Sequence, residues 1–84
     1  MNYYLRFNTS DSLLNEKWDD TSIETVANLV VGDIIDFSHE KFSEKLEIDF
    51  NTVEFLISKR IFICDSDFEN VGGVFHLFLQ PVIN

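Results

Sequence analysis

Eighty-four residues make one domain, residues 1–84, with no room for a second core. The chain is 45% hydrophobic with nine Phe, which excludes the low-hydrophobicity composition of a disordered segment. Fifteen acids against six bases give a net charge of -9, so the surface repels phosphate and attracts a basic partner.

Cys64 is the only cysteine, so no intramolecular disulfide forms, and the composition points to a reducing compartment. The first residues, Met1 to Phe7, have neither a basic n-region nor a long apolar h-region and do not read as a signal peptide. The longest apolar run, Ile61-Phe62-Ile63-Cys64, is too short to span a bilayer. A cytoplasmic protein without a membrane partner is the expectation.

In chain order, residues 2–8 alternate as a strand, with Tyr3, Leu5 and Phe7 on one face. Thr9-Ser10-Asp11-Ser12 has turn chemistry, and Leu13 to Asp20 reads as one or two helical turns or an irregular loop. Thr21-Ser22-Ile23-Glu24 fits a capping box; Ile23, Val26, Ala27, Val30 and Val31 follow at helical spacing, and Gly32 suits the C′ position. The spacing therefore predicts a helix from Thr21, against the weak helix propensity of its valines.

Asp33 to Ser38 looks extended, and His39 to Lys45 reads as a connector or a short helix capped by Ser38. Leu46 to Phe50 alternates as a strand, with Glu47 and Asp49 on its polar side. Val53 to Cys64 fits both a helical and a strand face. Asp65 to Gly73 reads as a loop, and Val74 to Gln80 as a final strand ended by Pro81. The expected fold class is α+β: a single small domain, mostly antiparallel sheet with one or two helices.

The charge is uneven. Residues 1–40 hold eight acids and two bases, 41–60 balance at four and four, and 61–84 hold three acids and no base. In the first acidic region Asp11, Glu16, Asp19, Asp20 and Glu24 surround Trp18, which suits an interface where the ring gives buried area and the acids steer a basic partner. The alternative is a Trp18 packed in the core beneath solvated acids. In the second, Asp65, Asp67 and Glu69 have the spacing that opens a calcium loop, but Asn70 replaces the required Gly and His76 the bidentate Glu. A loop face that binds protein or nothing is the better reading.

No metal or cofactor is expected. His39 and His76 lack a partner at zinc-ligand spacing, and there is no Gly-rich phosphate loop. Asp33 with Asp36, or Glu47 with Asp49, are formal acid–base pairs, yet exposure on the polar side of a strand explains Glu47 and Asp49, and the chain offers little depth for a cleft. Cys64 reads as a small buried hydrophobe, not a nucleophile. Lys41 with Lys45 and Lys59 with Arg60 are too few to track a phosphate backbone, so nucleic acid is not the expected partner. An enzyme is not expected.

Met1-Asn2-Tyr3-Tyr4-Leu5, Phe55-Leu56-Ile57-Ser58-Lys59-Arg60 and Phe78-Leu79-Gln80-Pro81-Val82, about a fifth of the chain, resemble segments of the small immunity proteins of bacterial polymorphic-toxin and contact-dependent inhibition systems. The resemblance implies a cytosolic protein that neutralises a cognate toxin, often a basic nuclease. It also implies that Ser58 caps a short helix, making 53–64 strand then helix. It assigns no binding residue. The expected function is thus a small acidic inhibitor of a basic protein, with immunity to a nuclease-type toxin as its form. The alternatives are a phage-encoded DNA mimic such as an anti-CRISPR protein, or a structural homo-oligomeric subunit.

Overall fold

A computed structural model describes residues 1–65 and 72–83. Strand β1 (Asn2–Phe7) is followed by helix α1 (Ser12–Lys17), β2 (Ser22–Glu24), β3 (Ile34–Asp36), α2 (Ser43–Phe50), β4 (Glu54–Cys64) and β5 (Gly73–Pro81). The five strands form one sheet in the order β2-β1-β5-β4-β3. Only β1 and β5 run parallel, with Tyr3 beside Phe75 and Phe7 beside Leu79. The mostly antiparallel α+β architecture expected of the sequence is the one observed.

Alternation in the strands divides the sheet into two unlike faces. Tyr3, Leu5 and Phe7 of β1, Phe55 and Ile57 of β4, and Leu77 and Leu79 of β5 point to one face and are buried. Both helices cover the end of that face near Phe7. The Phe7 ring stacks on Phe50 of α2 at 5.0 Å and meets Phe55 edge-on at 5.0 Å. Trp18, just past α1, closes on Phe7 at 5.6 Å and on Phe42 at 6.0 Å. Neither helix would persist alone, since six and eight residues are below the length at which isolated helices survive in water. Asp11 caps α1 by accepting from the Leu14 N–H at 3.1 Å, as turn chemistry at 9–12 suggests.

Several sequence expectations are corrected. No helix starts at Thr21: Ser22–Glu24 is a strand, paired antiparallel with β1 so that Ile23 lies beside Tyr3. The open edge of β1 offers these backbone groups a ladder, which outweighs the capping box. The buried Tyr3 hydroxyl then ties down the following segment, donating to the Ala27 carbonyl at 2.9 Å and accepting from the Leu29 N–H at 3.1 Å. Val26, Val30 and Val31, the would-be helical stripe, are exposed. Gly32 does take positive φ, at 98°, but in a turn entering β3.

Leu46 to Phe50 is not a strand but lies within α2. Leu46 and Phe50, four residues apart, are buried, whereas Ile48, which alternation would put with them, is 80% exposed. The helix stops at Asn51, whose left-handed φ of 61° Asn tolerates. Ser38 does not cap it; the Ser38 N–H donates to the Asp36 carboxylate at 2.8 Å, holding the Asp36 pKa below its usual value. Finally, 54–64 is one continuous strand. Ser58 caps no helix; it sits in a bulge where the register with β5 shifts, its hydroxyl donating to the Phe78 carbonyl at 3.2 Å. Beyond the bulge β4 runs to Cys64, which is exposed rather than buried.

Asp49 joins the two helices. One carboxylate oxygen accepts from the Trp18 indole N–H at 2.9 Å and from Lys17 Nζ at 2.7 Å. The Lys17 ammonium, then the indole, hold the Asp49 pKa below its ordinary value. A depressed carboxyl stabilises the fold fully above its unfolded pKa of about 3.9, and that contribution fades as pH falls through the lower folded value. Asp49→Ala is expected to lower stability by about 1–2 kcal/mol in urea unfolding followed by Trp18 fluorescence, because it orphans the buried indole N–H. Lys17→Ala should cost less than about 1 kcal/mol, as Lys17 is 58% exposed. Equal losses would show that the ion pair, not the indole contact, matters.

Candidate functional site

The acids expected to form an interface do not converge around an exposed Trp18. Trp18 is 6% exposed and belongs to the core, so it cannot serve as the surface anchor and the packing alternative holds for it. Asp11 is exposed but spends a carboxylate oxygen on the α1 cap. Asp19 is tied to Arg6, with Oδ1 3.2 Å from Nη1. Glu16, Asp20 and Glu24 are exposed on α1, the turn after it and the edge strand β2. Asp65 is exposed at the end of β4, whereas Asp67 and Glu69 lie outside the described residues.

The exposed carboxylates extend further than that first acidic region. Glu40, Glu44 and Glu47, on α2 and the turn before it, are also exposed, and among the described residues no cation or hydrogen-bond donor engages them or Glu16, Asp20 and Glu24. The ion pairs of the described residues use Asp19 and Asp49 instead. Two large apolar side chains stand among the unneutralised acids: Leu13, 78% exposed, one turn from Glu16 on α1, and Ile48, 80% exposed, one turn from Glu44 on α2. Apolar area ringed by carboxylates is the arrangement sought at Trp18, built from different residues. Ile48 was hidden from sequence reasoning by the strand assignment, while Leu13 next to Leu14 gave no hint which of the two would face outward.

Between the helices lies a shallow cleft of about 240 Å³ lined by Lys17, Trp18, Thr21, Phe42 and Lys45. Its two lysines make it the least acidic part of the helical layer, and the Lys17 ammonium is already engaged by Asp49.

Among the described residues, the opposite face of the sheet carries no helix, and it holds a polar cluster. Tyr4 and Arg6 of β1 project beside His76 of β5, as the parallel register requires. The Tyr4 and His76 rings stack at 5.4 Å, and Arg6 Nε donates to His76 Nδ1 at 3.0 Å. An Arg donor at Nδ1 needs a lone pair there, so the imidazole is neutral with its proton on Nε2. Burial, then the Arg6 charge, push the His76 pKa below its usual value. Arg6 is fixed in turn by Asp19, giving a chain Asp19–Arg6–His76–Tyr4 from the turn after α1 to the sheet centre. Sequence reading placed His76 in an apolar strand and missed this; its alternation with Phe75 and Leu77 was the available signal. Among the described residues no group of three or more His, Cys, Asp and Glu could hold a metal ion, and no helix is long and apolar enough to cross a membrane.

Because His76 is neutral in the fold and basic when unfolded, the unfolded chain binds more protons below about pH 6.5. Its stabilising contribution is therefore complete above that pH and is lost as pH falls towards the depressed folded value. The melting temperature is expected to fall between pH 7 and 5, with the ring titrating below its ordinary midpoint by NMR. His76→Gln, which keeps an acceptor for Arg6 but cannot titrate, should flatten that slope; an unchanged slope would assign it to other groups. No protein-family model matches this chain, and neither a curated protein nor a solved structure matches it.

Proposed function

We propose that the protein is a small acidic inhibitor that binds and neutralises a basic protein partner, with immunity to a nuclease-type bacterial toxin as its biological form. The observation that carries the reading is the set of exposed carboxylates left unneutralised across the helical layer and β2, at Glu16, Asp20, Glu24, Glu40, Glu44 and Glu47. A protein that needed acids only for internal ion pairs would place them beside its own six bases. Here Arg6 and Lys17 are used internally, Lys59 lies over the Phe78 ring at 5.6 Å, and Arg60 lies over Phe75 at 4.0 Å.

The mechanism divides between two kinds of residue. The carboxylates steer a basic surface into contact and stand where substrate phosphates would lie, so association is fast and salt-sensitive. Leu13 and Ile48 supply the apolar area that water leaves on docking, which governs how long the complex lasts. Occlusion of the partner's active site then follows from size alone.

The test starts with affinity capture from the source cells at low salt, elution at high salt, and rapid-mixing kinetics with the purified basic partner. Glu16→Lys combined with Glu47→Lys is expected to slow association about tenfold at low ionic strength with little change in dissociation. Ile48→Ser should do the reverse, speeding dissociation about tenfold. Both sites are exposed, so circular dichroism should show an intact fold. An association rate indifferent to salt and to the double reversal would overturn the electrostatic reading.

A further inference from the structure

Among the described residues, the outer edge of β4 is open beyond Ile57. On that side β3 pairs only with 54–56, and the ladder closes at Ile57, whose N–H donates to the Asp33 carbonyl and whose carbonyl accepts from Gly32. The bulge at Ser58 then resets the phase against β5. By alternation Arg60, Phe62 and Cys64 turn their N–H and C=O groups outward, and among the described residues nothing bonds to them. Natural sheets guard such edges with charge, proline or brevity. This one has Ile61-Phe62-Ile63-Cys64, with Lys59 over the Phe78 ring and Arg60 folded over the Phe75 ring, and with Phe62 44% and Ile63 49% exposed.

We propose that this edge pairs antiparallel with the same edge of a second copy about a two-fold axis at Phe62, joining two five-stranded sheets into one. The sequence is self-complementary in that register. Phe62 faces its own copy, Arg60 faces Cys64, Ile61 faces Ile63, and Lys59 faces Asp65. Phe62, Arg60 and Cys64 are the residues with outward backbone groups, so they fall on the hydrogen-bonded positions. Alternation puts Ile61, Ile63, Lys59 and Asp65 together on the helix-free face, where the isoleucines meet and opposite charges stand directly across from each other, twice per dimer. A shift of two residues would break the Lys59–Asp65 match, setting Lys59 across from Ile63 and Arg60 across from Phe62 in one direction, and Asp65 across from Ile61 in the other. A two-fold axis also uses both edges up, so assembly stops at two.

Charge repulsion between two chains of -9 opposes the pairing, so it should strengthen as salt screens the remaining carboxylates. The experiment is sedimentation velocity of the full chain at about 5 to 500 µM in reducing buffer, at low and about 0.5 M salt. It is paired with amide exchange by NMR at the two ends of that range. The expected result is a dimer that tightens with salt, with slowed exchange confined to Arg60, Phe62 and Cys64. Lys59→Asp, which places like charges opposite one another, should weaken the dimer about tenfold, and adding Asp65→Lys should restore it. A monomer at every concentration would overturn the proposal. So would a dimer whose edge amides exchange freely, or one that the charge swap fails to rescue.

Discussion

Everything in the helical layer depends on one shared acceptor. Helices α1 and α2 are too short to be stable by themselves, and α1 buries none of its own residues. Their place on the sheet comes from Trp18 and Phe50, which lie against Phe7 from two sides. An indole in that position brings an N–H that must be paired. Asp49, on the last turn of α2, accepts it and binds Lys17 as well, so the same carboxylate that completes the core sets the spacing of the two helices. An acid near a helix C-terminus opposes the helix dipole, so its presence there follows from the indole and the ammonium rather than from local propensity.

That joint fixes which acids face outward. With α2 turned so that Leu46 and Phe50 are buried, Glu44, Glu47 and Ile48 must be exposed, and α1, packed through Leu14 and Trp18, exposes Leu13 and Glu16. The acidic, apolar-studded surface is thus a direct consequence of the aromatic core. Substitution at Asp49 or Trp18 would disturb both, whereas Leu13 and Ile48 can change without touching the fold.

β1 and β5 could be read from the sequence because alternation and burial coincide there, while β3 lies in the segment read as extended although none of its residues is buried. Two elements defeated the same logic for separate reasons. Leu46, Ile48 and Phe50 satisfy both a period of two and, without Ile48, a spacing of four, and only tertiary burial distinguishes them. Ser22–Glu24 carries a helix-start signature whose local energy, about 1 kcal/mol, is small beside a strand ladder plus two bonds to the Tyr3 hydroxyl. Of the candidate site, the exposure of Glu16, Asp20 and Glu24 was legible from charge alone. The removal of Trp18, Asp11 and Asp19 from it was not, because each answers to a partner far away or to a cap: Asp49, the Leu14 N–H and Arg6.

The bulge at Ser58 relates the two surfaces. Without it, alternation would carry Ile57 and Phe55 onward through Lys59, placing an ammonium under the buried face and the Arg60 guanidinium on the open one. The extra residue inverts this. Lys59 comes to the open face over Phe78, and Arg60 comes to the covered face, where Phe75 and the Asn28 side chain receive it. Lys59, Ile61, Ile63 and Asp65 share a face by alternation, and the inversion makes that face the helix-free one, where a charge match and an apolar match fall in a single self-pairing register. The acids of the helical layer lie on other elements, α1, α2 and β2. The fold therefore keeps its unneutralised acids on one set of elements and the open strand edge on another, which lets repulsion guard the edge in dilute solution without being built into it.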